Sequence, residues 1–297
     1  MMWWRMRITT FSIIAFDRET NALGVAVASK FLAAGSIVPW AQAGTGAVAT
    51  QALANYNFGP QGLALMAEGK SAAEALAELL EQDDQPEHRQ VALIDSQGRA
   101  AAHTGSACLE FAGHLTGDGF SCQGNILAGA HVLDAMASGF LAARGELADR
   151  LVEALRAGET AGGDRRGKQS AAVVVVTPGG GYGGNNDRYL DLRVDDDPEP
   201  VEKLARLVQM HHVFFGRSQT RELTPIDSQL ARELQAIMHA QGLLKRQPDG
   251  NWDDESRLAF QHFISIENLE ERWNIEQHPY ALDRVALEYL RQRFPTK

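Results

Sequence analysis

The chain of 297 residues is longer than one average domain, and at 44% hydrophobic and 22% charged it has the makings of a sizeable core rather than of a disordered or fibrous protein. Its formal charge of −10 is spread along the length, with 9 Lys and Arg against 12 Asp and Glu in residues 226–297, so no stretch has the basic footprint of a nucleic-acid binder. Two cysteines, Cys108 and Cys122, exclude a disulfide framework and a zinc site, and neither the opening MMWWRMRI nor any later run is apolar enough for a signal peptide or a membrane span.

A soluble cytoplasmic protein with reduced core thiols is therefore expected. The run TFSIIAFD from Thr10 to Asp17, the turn RETN and the run ALGVAVASK predict a β-hairpin ending at Lys30. SIVPWAQAGTGAVATQ predicts two further strands around Gly44 to Gly46, apolar enough to be buried on both faces. The period then becomes helical in QGLALMAEG and SAAEALAELLEQ, with Ser71 and Glu74 as a capping box.

After DDQPE, the segment RQVALIDSQGRAAAHTG predicts a second hairpin. A strand-rich segment to GFSCQGNIL follows, then two amphipathic helices, AHVLDAMASGFLAA and GELADRLVEALRAG. SAAVVVVTPGGGYGGNNDRYLDLRV predicts a buried strand, a glycine-rich connection and a more polar strand, and the helix PEPVEKLARLVQMHHVFFG closes this part. GGGYGG lacks the lysine and hydroxyl residue of a phosphate loop, so it is a hairpin connection. His211 and His212 lack metal-site spacing, and no metal or cofactor signature is present. Two strand-rich stretches, each followed by a helix pair, do not alternate as parallel βαβ units do. They predict an α+β fold, a four-layer αββα sandwich over residues 9–216.

A polar segment, residues 217–225, separates a second unit over 226–297. DSQLARELQAIMHAQGLL, DESRLAFQHFISIENLE and ALDRVALEYLRQR predict a small all-α three-helix domain with QPDGNWD as a turn. Leu204, Leu207, Val208, Val213, Phe214 and Phe215 give the preceding helix more apolar surface than one stripe needs, from which a homodimer is expected.

A hydroxyl becomes a useful nucleophile when a base takes its proton, and a chain-terminal Thr, Ser or Cys can use its own α-amine for this. Thr10 heads the first strand and Lys30 ends the strand paired with it, the layout of such an enzyme; a plain strand threonine and a solvated lysine are the alternative. Thr9 and Thr10 face opposite sides of the strand: Phe11, Ile13 and Ala15 share one face, and Thr10, Ser12, Ile14 and Phe16 the other.

TFSIIAFDRETNALGVAVASKFLAAGSIVPWAQAGTGAVATQALAN, GFSCQGNILAG, AGGDRRGKQSAAVVVV and GYGGNNDRYLDLRVDD, in this order, resemble the domain of unknown function 1028 family, assigned to the N-terminal-nucleophile hydrolase fold. The resemblance covers residues 9 to 216. Its members begin Met-Thr-Phe, which selects Thr10 as the nucleophile, although nine residues precede it here. ATQALAN places Thr50, Gln51 and Asn55 where this fold recruits oxyanion donors, the alternative being that Thr50 caps a helix. Gln123 and Asn125 offer further amide donors, or act as turn residues. By analogy with proteasome subunits, Asp164 and Ser170 hold a terminal amine, or else Asp164 pairs with Arg166 at its turn.

The expectation is an amide hydrolase acting on a small amide or an acyl-amino acid. Thr10 attacks, Lys30 tunes the base, and Gln51, Gln123 and Asn125 steady the oxyanion. The rival is a non-catalytic binding or assembly protein. LLKRQPDGNWDDESRLAFQHF resembles a peptidoglycan-binding-like domain, which implies cell-wall fragments as partners, or a docking role.

Overall fold

The computed structural model describes residues 10–216 and 222–295. The opening segment with Thr9, and most of the segment expected as a linker, lie outside the described residues. The chain forms two compact units, Met1–Val208 and Gln209–Lys297.

The first unit contains two antiparallel sheets. β1 (Thr10–Asp17) and β2 (Ala22–Ser29) form the expected hairpin, with Thr10 directly opposite Ser29. β3 (Pro39–Gln42), β4 (Gly46–Ala52), β5 (Arg89–Asp95) and β6 (Ala100–Thr104) make one sheet in that order. β7 (Gly113–Gly117), β8 (Phe120–Gly124), β9 (Ser170–Val176) and β10 (Arg188–Val194) join the hairpin in a six-stranded sheet of order β10-β9-β2-β1-β8-β7. Between the strands lie α1 (Phe58–Ala67), α2 (Ala72–Glu81), α3 (His131–Ala142) and α4 (Leu147–Thr160). The Ser71 and Glu74 capping box opens α2 as the sequence predicts.

Strand alternation explains the layering. Phe11, Ile13 and Ala15 pack on α3, α4 and the start of α5 (Pro200–Phe215), while Ile14 and Phe16 face a second core built with Val25, Val27, Ala49, Ala92 and Ile94 between the two sheets. Val48, Val91 and Leu93 turn outward onto α1 and α2. Strands flanked on both faces must be apolar throughout, which is why β2 and β9 read as continuous hydrophobic runs.

The helix expected to expose surplus apolar surface uses it internally. Val201, Leu204 and Val208 of α5 enter the core of the first unit, and Val213 and Phe214 pack in that of the second. Met210 and Phe215 remain exposed. The surface that suggested a dimer is thus mostly consumed within the chain.

The second unit contains α6 (Ser228–Ala240), α7 (Asp254–Ile266) and α8 (Arg284–Arg293) around Leu234, Phe260, Phe263, Trp273 and Leu290. It is not all-α: β11 (Leu223–Pro225) pairs with β12 (Ala281–Asp283), two three-residue strands too short to carry a periodic signal. Among the described residues no helix is long and apolar enough to cross a membrane.

Candidate active site

The inward face of the sheets changes character along its length. From Phe16 and Leu23 to Ile14 and Val27 it is apolar; beyond them come Ser12, Thr10, Ser29, Ser170, Gln51, Gln90 and Gln123, all buried. A polar layer inside a core is tolerated only when its groups find hydrogen-bond partners, and these do, with one another or, for Ser170, with the backbone of Phe31 and Ala34.

Thr10 Oγ1 donates to Ser29 Oγ at 3.0 Å. The Thr10 carbonyl accepts from the Asn125 N–H (3.0 Å) and from Gln51 Nε2 (3.3 Å), so the head of β1 is held from both sheets. Ser12 Oγ donates to Gln51 Oε1 (2.6 Å) and accepts from Gln123 Nε2 (2.7 Å), whose Oε1 accepts from Ser121 Oγ (3.0 Å). At the centre, Gln90 Oε1 accepts from Gln51 Nε2 and Asn125 Nδ2, both at 2.8 Å. Its Nε2 reaches Thr104 Oγ1 (3.0 Å), the Gly113 carbonyl (3.0 Å) and the Gly124 carbonyl (2.8 Å), three acceptors shared between two hydrogens. Thr104 Oγ1 continues to His114 Nδ1 at 2.9 Å, and burial, then the neighbouring His103, hold His114 below the ordinary histidine pKa.

Thr10, Gln51, Gln123 and Asn125 therefore come together, as one internally bonded layer. Lys30 stands apart from it. Ser29 is opposite Thr10, so the next side chain points away, and the Lys30 ammonium donates to the Lys168 carbonyl at 3.3 Å in an exposed bond. Asp164 is a turn anchor: its carboxylate accepts from Lys30 N (3.1 Å), Arg166 N (3.0 Å) and the Arg166 guanidinium (2.6 Å). Ser170 lies opposite Ser29 on the other side of β2, and its hydroxyl donates to the Phe31 carbonyl (2.6 Å) and accepts from Ala34 N (3.1 Å). Thr50 caps no helix; it lies within β4 and bonds the Asn55 carbonyl, while α1 begins at Phe58 after Asn57. Asn55 Nδ2 donates to Asp83 (2.7 Å).

A crevice of about 10 Å³, room for one water molecule, opens at this end of the sheets between Ala52, Leu53, His88, Ala107, Cys108, Leu109 and Asn125. Cys122 is a core thiol as expected, but Cys108 is only half-buried, because the β6–β7 connection carries it out to the strand ends. Among the described residues no group of three His, Cys, Asp or Glu is arranged to hold a metal ion.

Gln90, Ser12 and Ser29 were not singled out from the sequence. A signal existed for Gln90: in QVALID it shares the alternate, inward positions with Ala92 and Ile94.

Residues 10–204 match the family described as "Family of unknown function (DUF1028)", and the chain belongs to it. Residues 214–290 match "Putative peptidoglycan binding domain". Among solved structures, the crystal structure of protein SPO2555 from Silicibacter pomeroyi, of the same family, is 33% identical, with a TM-score of 0.63. The match covers 69% of this chain and 89% of that one. No curated protein matches.

Proposed function

We propose that the first unit is an N-terminal-nucleophile-type amide hydrolase in an αββα arrangement, with Thr10 as nucleophile, and that it acts once Thr10 is the first residue. The observation that carries this reading is the placement of Thr10. It heads a central strand, its hydroxyl donates to Ser29, and its carbonyl is clamped by Asn125 and Gln51 at the end of the sheets where the crevice opens. A nucleophile needs such fixed geometry before it needs anything else. With Thr10 terminal, its α-amine serves as the base and Ser29 Oγ, rather than the turned-away Lys30, is the group beside it. Gln51, Gln123 and Asn125 supply the polar surroundings in which an oxyanion is stabilised. The test is a chain beginning Met-Thr10, screened on small amides and acyl-amino acids beside its Thr10→Ala variant. Cleavage lost in the variant supports the reading; no cleavage by the trimmed chain, or equal cleavage by the variant, ends it.

A second reading, a binding protein on the same fold, is favoured by one feature: the three amides are buried, with Gln51 and Asn125 donating to Gln90 and Gln123 to Ser12 rather than being aimed at solvent. In the same screen it predicts saturable binding without turnover. The C-terminal unit suits capture of peptidoglycan fragments, with a cleft of about 350 Å³ between Thr224, Glu233, Arg284, Leu287 and Arg291.

A further inference from the structure

The residues from Asp164 to Gln169 run as a strap past the head of β1, from one neighbouring strand to the other. On the β8 side, Leu127 bridges to Asp164 and Arg165 N donates to the Ile126 carbonyl at 3.0 Å. On the β2 side, Gln169 N donates to the Ser29 carbonyl (3.1 Å), and the Asp164 carboxylate takes Lys30 N. β1 lies between β2 and β8, so the strap passes the strand end that carries Thr10.

Four cations gather here, and two of them are neutralised. Arg166 pairs with Asp164, and Lys168 with Glu159 and Glu199, whose hydrogen bonds raise its pKa. The other two meet no carboxylate among the described residues. Lys30 Nζ donates to the Lys168 carbonyl, and Arg165 donates to the Glu110 carbonyl at 2.6 Å, the backbone oxygen and not the acid. Both are exposed. Against these four cations stand three carboxylates, Asp164, Glu159 and Glu199, so in a chain of net charge −10 the strap keeps a local excess of one positive charge, with Lys30 and Arg165 as the two cations that no carboxylate engages among the described residues.

We propose that Lys30 and Arg165 form an anion site that takes the carboxylate of an N-acylated amino acid, with its amide carbonyl toward Thr10. The substrate class rests on the amide-hydrolase reading; the anion site rests on the strap alone. An N-acyl amino acid carries its carboxylate two bonds from the amide nitrogen, which suits cations at the rim of a site whose nucleophile lies just inside. A carboxylate is favoured over a phosphate because the strap offers no cradle of free N–H groups. Arg165 N donates to Ile126, Arg166 N to the Asp164 carboxylate and Gly167 N to the Asp164 carbonyl. Side-chain cations alone remain, and a guanidinium binds a carboxylate with two parallel hydrogen bonds.

The experiment measures binding, on the full chain, of N-acetylglycine, its neutral methylamide and inorganic phosphate, by calorimetry or ligand-observed NMR. The acid is expected to bind about tenfold more tightly than the methylamide, and Lys30→Gln or Arg165→Gln to weaken the acid alone about fivefold each. The double variant is expected to bind both probes equally, and added salt to weaken the acid selectively. Both side chains are exposed and donate only to carbonyls, so folding is expected to survive; should it not, the acid-to-methylamide ratio of the unaltered chain still decides. The proposal is overturned if that ratio is one, if the acid does not bind, if the preference persists in the double variant, or if phosphate binds more tightly than the acid. Cleavage is read separately: a trimmed chain that hydrolyses no amide while the ratio holds removes the hydrolase and keeps the anion site.

Discussion

Replacing Gln90 by leucine tests whether the polar layer holds the strand head. The side chain has no exposed surface and makes five hydrogen bonds of 2.8–3.0 Å. Without it, Gln51 still holds the Thr10 carbonyl and Thr104 still meets His114. Asn125 Nδ2 loses its acceptor, and the Gly113 and Gly124 carbonyls each lose a donor. A buried donor left unsatisfied costs about 1–3 kcal/mol, and a carbonyl losing one of its partners costs less, so a loss of about 3 kcal/mol is expected. For a unit of this size that corresponds to a fall in Tm of about 6–12 °C, read by circular dichroism in thermal and urea unfolding. Gln90→Glu is expected to cost at least as much, because it turns a carboxylate oxygen toward two carbonyls. If leucine costs less than about 1 kcal/mol, or glutamate is tolerated as well as glutamine, the donor and acceptor roles assigned to this amide are wrong.

Asp83 is pushed up by burial, but hydrogen bonds from Arg89, Asn55 and Gln85 N outweigh that and hold its pKa below the ordinary value. A depressed carboxyl stabilises the fold fully above its unfolded pKa and loses that contribution as pH falls through the folded one. Asp83→Asn should thus cost about 2–4 kcal/mol at pH 7, by leaving Arg89 without its nearly buried partner, and the gap from the unaltered chain in urea titrations should shrink toward pH 3. Gly105→Ala would put a Cβ 2.3 Å from the Glu87 carbonyl oxygen, a backbone atom with no room to move, so a loss of about 2 kcal/mol is expected in thermal unfolding. Burial drives the Cys122 thiol pKa well upward, so peptide mapping after alkylation should find it unmodified in native protein and modified after unfolding.

How far the sequence could be read depends on the range of the forces involved. The hairpin from Thr10 to Ser29, the Ser71 cap and the outward and inward faces of β1 follow from turn chemistry, local hydrogen bonding and two-residue periodicity, all acting within a few residues. The family motifs picked out Thr10, Gln51, Gln123 and Asn125, and the fold gathers these four. The β11–β12 ribbon was not legible, since neither three-residue strand has a pattern without the other.

Local pattern in the chain thus sufficed for the longer elements, their buried faces and the threonine at the head of the first strand. Tertiary structure decided what each polar group does. Gln90 is a half-hidden glutamine until the sheets close, and only then do residues 39 and 35 positions away become its hydrogen-bond partners. The hairpin pattern points to Lys30 as the neighbour of Thr10, but register makes Ser29 the neighbour and turns the lysine outward, where the strap from Asp164, 134 residues on, meets its backbone N–H. Periodicity tells a residue which side of a strand it occupies; only the packing of distant segments supplies the partner it meets there, because a hydrogen bond is decided over about 3 Å, however far apart its ends lie along the chain.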